Sequence, residues 1–326
     1  MRLFGKVAIG IEIDDFEIRA VELQKKNGEI YLLGYDRILL PRGTVRNGMI
    51  SEAEDLTVCL KKLWTRNKFT KKNIIVGLLN RDLMTRKISL PNLPKEKLDL
   101  VISNHAQDHI PFSLENSVLD YMIVEEIKRE DKKSVEVLLA VASLSMVEDF
   151  YQCFNQMGLW IKDIKLSSLA LLDVIKDESV GEVKVLLDIS NNSGSLVICV
   201  DGYPKLTRQL SVNFNEATGL NPINTSDKME LIEIVLSTWT QMIYSEIRSS
   251  IQYFQIHEEV NNIDEIVLSG CGSRIWGLDV ELEKRLGIPV KYIDPMKNIK
   301  FKREDSRRGQ IIDYTACIGL ALAGLE

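Results

Sequence analysis

Apolar and polar positions alternate with a period of two over Val7–Ile13, Ile18–Gln24 and Ile30–Leu40, which predicts three strands, with Lys26-Asn27-Gly28 as a turn. The period then changes. Leu56, Leu60, Leu63 and Trp64 fall on one helical face behind Ser51-Glu52-Ala53-Glu54, which reads as a capping box. Asn73–Leu79 and Thr85–Leu90 return to strand, the second ended by Pro91 and Pro94. A helix from Lys95 to His109 carries Leu98, Val101, Ile102 and His105 at helical spacing and stops before Pro111, because a residue preceding proline avoids the α region. Val118–Glu126 and Val135–Ser143 predict a strand pair around the charged turn Lys128–Lys133. A helix from Met146 to Met157 ends at Gly158, and the strand Trp160–Ile164 leads into a helix through Ile175.

Residues 176–182 are a polar linker, after which Val183–Ile189, Ser195–Val200 and Lys205–Leu210 repeat the opening pattern. Ile11-Glu12-Ile13-Asp14 is echoed by Leu187-Asp188-Ile189-Ser190, so an internal duplication with a ligand cleft between halves is expected. A long helical region from Asp227 to Glu258 is expected to break into two helices. The strand Glu265–Leu268, the turn Ser269-Gly270-Cys271-Gly272-Ser273, a helix from Gly277 to Leu286, the strand Pro289–Ile293 and a small-residue helix from Asp313 to Leu325 close the chain.

Composition narrows the classes. With 326 residues, 45% hydrophobic and 27% charged, the chain is an ordinary soluble globular protein of one large or two medium domains. A net charge of −6 argues against general nucleic-acid binding, and Lys300-Phe301-Lys302-Arg303 with Arg307-Arg308 reads as a solvated loop. The 5 cysteines (Cys59, Cys153, Cys199, Cys271, Cys317) lie far apart without a C-x-x-C spacing, as expected of buried reduced thiols. His105 and His109 share a helical face, but without an H-E-x-x-H pattern the pair is read as ordinary helix packing. No secretory or membrane segment is expected, so any membrane association would come through a partner.

The first hairpin carries the chemistry. Small residues in such a turn would let backbone N–H groups reach phosphate oxygens, whereas this one offers Asp14, Asp15 and Phe16. A carboxylate about 4 Å from a phosphate charge is repelled by roughly 4 kcal/mol at an effective dielectric near 20. An acidic cluster can also bind Mg²⁺, which would offset that repulsion.

Taken in order, these motifs resemble the actin/hexokinase/Hsp70 (ASKHA) superfamily and, within it, the PilM family of type IV pilus assembly proteins, with FtsA of cell division a near relative. The resemblance rests on Ile266-Val267-Leu268-Ser269-Gly270-Cys271-Gly272-Ser273-Arg274 before Gly277-Leu278, and on the closing Gly319-Leu320-Ala321-Leu322-Ala323-Gly324. It rests also on Leu40-Pro41-Arg42-Gly43, Gly48-Met49-Ile50, and Ile110-Pro111-Phe112 followed by Asp120-Tyr121. It implies an α/β, actin-like two-lobed fold of duplicated ribonuclease-H-like domains, with a small inserted α+β subdomain and a reduced second-lobe insertion. The first lobe would be 1–84 and 161–180, with helix 313–326 a candidate member. The inserted subdomain would be 85–160, and the second lobe 181–326 with its short insertion at about 211–245.

By the same resemblance, Glu12 and Asp188 hold the places of two Mg²⁺-orienting aspartates, Asp14 and Ser190 stand where the hairpins normally carry glycine, and Gly194 replaces a hydroxyl residue. Glu246 and Arg248 correspond to a pair flanking adenine. Gly270, Gly272 and Ser273 correspond to the adenosine turn, although those glycines could equally serve a strand-to-helix turn. A degenerate site follows, with weak binding of ATP and Mg²⁺ or none, and weak or absent hydrolysis. The leading expectation is a cytoplasmic, non-catalytic scaffold that captures the N-terminal peptide of a PilN-like inner-membrane protein, at a groove lined by Ile110, Pro111, Phe112 and Tyr121. An ATP-dependent switch is the second reading, and the cytoplasmic domain of a type II secretion L-type protein a distant third. Sugar or acetate kinase activity lacks a catalytic base in the first half.

Overall fold

The computed structural model describes residues 5–70, 73–80, 83–109, 114–129, 132–176, 181–190, 193–210, 232–258, 260, 262–302 and 308–326. The chain opens with the antiparallel strands β1 (Lys6–Ile13), β2 (Glu17–Lys26) and β3 (Glu29–Leu39). The short hairpin β4 (Val45–Arg46) and β5 (Met49–Ile50) leads into helix Ala53–Asn67, and β6 (Ile74–Leu78) returns parallel to β1. An inserted unit follows: β7 (Met84–Pro91), helix Lys95–His109, β8 (Ser117–Arg129) and β9 (Lys132–Ser143), forming a sheet in the order β7-β9-β8. Helix Leu144–Asn155 leads back to β10 (Ile161–Leu166), parallel to β6, and to helix Ser167–Ile175.

The second half begins with β11 (Val183–Ile189), β12 (Gly194–Val200) and β13 (Tyr203–Leu210), the antiparallel set that echoes the first three strands. After helix Ile232–Glu258, β14 (Glu265–Ser269) and β15 (Val290–Tyr292) add in parallel on either side of helix Leu278–Leu286, giving the order β13-β12-β11-β14-β15. The chain then crosses back. β16 (Ile299–Phe301) pairs with β3, completing a first-lobe sheet of order β10-β6-β1-β2-β3-β16, and helix Thr315–Gly324 packs on β1 and β2.

Alternation decides what each face of the first hairpin does. Ile9, Ile11, Ile13, Ile18 and Ala20 meet helices Ala53–Asn67 and Leu144–Asn155 in one core. Ala8, Val21 and Leu23 face the opposite way, under the closing helix. That helix sits very close to the sheet and to helix Ser167–Ile175: a Cβ on Gly10 would lie 1.9 Å from the Cys317 carbonyl oxygen, and one on Gly319 at 1.9 Å from that of Ala170. Between the lobes, Leu171 and Ile175 of helix Ser167–Ile175 and Ala316 of the closing helix meet Leu186, Val197 and Val267 of the second sheet. The lobes therefore share an apolar seam.

Several expectations shift in detail. Helix Ala53–Asn67 has Glu52 as its cap residue with no side-chain cap bond, so Ser51 does not form the expected box; its N–H donates instead to the Thr44 carbonyl at 2.9 Å. Helix Ile232–Glu258 is continuous, and the start of the expected helical region, residues 227–231, lies outside the described residues, as do residues 211–226. A 3-10 segment, Arg308–Tyr314, precedes the closing helix, which begins at Thr315 rather than Asp313. The pairing of β16 with β3 puts residues 299–301 on the first-lobe sheet, although the sequence reading had assigned them to the second lobe. All of the cysteines are buried and unbridged. Among the described residues no helix is long and apolar enough to cross a membrane.

Candidate functional site

Two concave regions concern function: the cleft between the two hairpins and a groove beside the inserted sheet. In the cleft, the β1–β2 turn closes on itself. The Asp14 carboxylate accepts hydrogen bonds through Oδ1 from the N–H groups of Phe16 (2.7 Å) and Glu17 (2.8 Å). Those are donors that an anion seated in this turn would need. Asp15 is likewise engaged, accepting from the N–H groups of Asn47 (2.9 Å) and Gly48 (3.0 Å).

Antiparallel register places Arg19 directly across from Glu12. Arg19 is 1% exposed and lies 2.8 Å from Glu12 Oε2, 3.2 Å from Asp14 Oδ2 and, through Nε, 3.6 Å from Glu17 Oε1. Its guanidinium also donates to Ser190 Oγ of the second lobe (3.0 Å) and to the Asp313 carbonyl (3.0 Å). Asp313 in turn accepts from Arg37 of the first lobe (3.2 Å) and from Arg274 of the second (2.8 and 3.0 Å). Burial pushes Glu12 and Glu17 each up to about 7, against the opposing pull of Arg19. Burial also raises Asp14 and Asp188, again with Arg19 pulling the other way. Arg19 itself is raised well above its ordinary value: its acidic neighbours outweigh its burial and hold it charged.

The sequence-predicted residues Glu12, Asp14, Asp188 and Ser190 are thus brought together, but around an internal arginine. The carboxylates Glu12 and Asp14 are ion-paired rather than free, which corrects the picture of an uncompensated negative cleft. Among the described residues no group of three or more His, Cys, Asp or Glu side chains is arranged to hold a metal ion. The turn Gly270–Arg274 joins this cluster through Arg274 and is closed by Ser273 Oγ donating to the Gly270 carbonyl (2.6 Å). A Cβ on Gly270 would lie 2.3 Å from the Ile189 carbonyl oxygen, and one on Gly272 at 2.4 Å from the Ile189 side chain. These glycines therefore let the turn press against the end of β11. Arg248 lies elsewhere: it is exposed, donates to the Tyr244 hydroxyl (3.0 Å) and lines a recess with Arg285 and Gln252. Glu246 is half-buried on the same helix, and no hydrogen bond or ion pair among the described residues connects it to the Gly270 turn. As the cleft stands, Asp14 occupies the turn N–H donors and Arg19 lies against Glu12 and Asp14, while Glu12 Oε1 accepts no hydrogen bond among the described residues; a Mg²⁺-triphosphate would have to displace both Asp14 and Arg19, so the group does not fit.

The groove is of another kind. β10 ends the first-lobe sheet and β8 ends the inserted sheet, and between them runs a largely apolar depression of about 600 Å³. Val118 and Met122 of β8, Tyr151, and Ile164 and Leu166 of β10 line it, and the β12–β13 turn of the second lobe contributes Tyr203. Met122 is 43% and Tyr203 54% exposed. Tyr121 lines the same groove, packs against the inserted subdomain's core and donates its hydroxyl to Asp99. Ile110, Pro111 and Phe112 lie outside the described residues, as do the side chains of His105 and His109.

The sequence model of the type IV pilus assembly protein PilM matches residues 10–212 and 205–325. The chain belongs to the PilM family. Among solved structures, it is similar to the PilM-PilN type IV pilus biogenesis complex, with 26% identity, a TM-score of 0.85 and 98% of each chain covered. Two more distant likenesses concern the actin-like fold alone. Ethanolamine utilization protein EutJ from Carboxydothermus hydrogenoformans has 9% identity and a TM-score of 0.51 over 99% of this chain and 91% of that one. MreB 5 of Spiroplasma citri bound to AMPPNP has 11% identity and a TM-score of 0.50, over 96% and 94%.

Against the PilM family framework, sequence reasoning missed Arg19 and the groove residues Val118, Met122 and Tyr203. For Arg19 a signal was available. Once a turn at residues 14–16 is assumed, strand pairing sets Arg19 opposite Glu12.

Proposed function

We propose that this chain is a non-catalytic scaffold of type IV pilus assembly that takes the cytoplasmic N-terminal peptide of a PilN-like inner-membrane protein into the groove between β8 and β10. The observation carrying this reading is the pairing of two terminal strands with an exposed apolar floor, in a chain 26% identical to one in a PilM-PilN complex. An extended peptide could add to either strand edge through main-chain hydrogen bonds while its alternate side chains enter the floor. Each apolar side chain fully buried there contributes about 1.5–3 kcal/mol before ordering costs. Roughly micromolar affinity is therefore expected. The scaffold works on the cytoplasmic side and reaches the membrane, and other pilus components, through that partner.

The same reading gives the cleft weak binding of ATP and Mg²⁺ or none, and no ATPase activity. The nucleotide-switch alternative keeps one supporting observation, the placement of Glu12 and Asp188 at the ends of equivalent strands. Titrating the folded chain with a fluorescent synthetic peptide from a PilN-like N-terminus tests the scaffold. Saturable binding lost in Met122→Asp supports it, and absence of binding by demonstrably folded protein rejects it.

A further inference from the structure

We propose that the protein supplies the contents of its own nucleotide cleft: Asp14 stands in for a phosphate, Arg19 for the bridging cation, and together they hold the two lobes shut with nothing bound. This inference does not depend on the peptide groove.

Three observations carry it. Asp14 places one carboxylate oxygen on two N–H groups of the first turn and the other on Arg19, so one side chain meets both the donors and the cation. Arg19 then spans the gap: its contacts to Glu12 and Asp14 lie within the first lobe, the one to Ser190 in the second, and the one to Asp313 on the segment entering the closing helix. A second bridge runs in parallel, from Arg37 of the first lobe through Asp313 to Arg274 of the second.

Opening the lobes would break the Arg19–Ser190 and Arg274–Asp313 contacts at a place sealed from water, where Arg19 is 1% exposed. Asp313, itself buried, would lose its Arg274 partner, and parting a buried ion pair is opposed more strongly than parting a surface one. The apolar seam and the closing helix, seated on Gly10 and Gly319, oppose the same movement. A nucleotide would have to displace Asp14 from the turn and Arg19 from Ser190, and would recover only part of what it broke. Closure is thus built in and does not wait for a ligand.

The test uses the full chain, thermal melting with and without Mg-ATP, and hydrogen–deuterium exchange resolved to segments. Mg-ATP should shift the unmodified protein's melting temperature by less than about 1 °C, because a ligand that does not bind the native state cannot stabilise it. Arg19→Met should melt several degrees lower, with exchange at residues 13–17, 188–190 and 270–274 faster by about tenfold or more, whether or not Mg-ATP is present. Ser190→Ala, which removes only the Arg19 bond to the second lobe, should speed exchange at 188–190 and 270–274 and leave 13–17 unchanged; it carries the test if Arg19→Met does not fold. A Mg-ATP shift above about 3 °C in the unmodified protein would overturn the proposal. So would unaltered exchange at 188–190 and 270–274 in Ser190→Ala. Peptide binding at the groove is measured separately, so its failure counts against the scaffold and not against the clasp.

Discussion

The interlobe cleft and the β8–β10 groove are both hollows between parts of the fold, and they are furnished in opposite ways. The cleft is crowded with charge, yet its charges answer one another: Glu12, Asp14, Arg19 and Ser190 form a connected set sealed from solvent. The groove is lined mainly by apolar side chains and leaves Val118, Met122 and Tyr203 in contact with water. Charges paired with one another offer less to a ligand, even though Glu12 Oε1 and both Glu17 oxygens accept no hydrogen bond among the described residues, whereas apolar surface left wet gains by being covered. The contrast teaches that paired buried charge and wet apolar surface suit different roles: the first ties the lobes together, and the second is where the proposed partner peptide would dock.

Removing the centre of the cleft is the harshest way to break that contrast. Arg19→Ala leaves Glu12 and Asp14 buried without their common partner and should cost about 3–5 kcal/mol, read from denaturant melts. A smaller loss, comparable to that of an exposed pair, would show that water reaches the cleft. On the groove side, Met122→Asp should weaken peptide binding by about tenfold or more while changing stability by less than about 0.5 kcal/mol, because the side chain is already half in water. Equal losses of binding and stability would place Met122 in the core.

A gentler probe is pH. Burial lifts Glu17 from 4.5 to about 7, so over that interval the folded chain keeps a proton the unfolded chain has released. The corresponding stability is complete below 4.5 and fades as pH rises through about 7. Glu17→Gln removes part of this slope; the rest belongs to Glu12, which burial lifts over the same range. Urea melts across that window would reveal an unchanged slope if Glu17 stays ionised. The smallest effect is expected from Asp14→Gly. It frees the N–H groups of Phe16 and Glu17 but leaves Arg19 on Ser190, so the gain in Mg-ATP affinity should stay under about tenfold, or 1.4 kcal/mol. A larger gain would mean that Asp14 alone closes the cleft.

Much of the architecture could be read from period alone. The alternation in β1 to β3, its echo in β11 to β13, and the turn at Gly270 all appear where the residues suggested. What escaped depends on partners distant in sequence. Arg19 and Ser190 are 171 positions apart, and nothing local in Glu17-Ile18-Arg19 announces that they meet. The strand Ile299–Phe301 is too short for a periodicity and exists because β3 offers it an edge. Met122 sits in a strand that reads as ordinary, and its exposure follows from β8 being last in its sheet, a property of sheet order that no residue pattern states. From Ile232 to Glu258 the long helix runs unbroken because it packs along Trp239, Ile243, Ile247 and Phe254.

The return of the chain through β16 and helix Thr315–Gly324 also governs how the protein can be made. Ala8, Val21 and Leu23 emerge from the ribosome long before the residues that roof them, Cys317, Ile318 and Ala321. Nascent chains must therefore carry an uncovered greasy seat until the closing helix has been made. Messages truncated before residue 315 should yield products that clump or recruit chaperones, even though every strand of both hairpins is present.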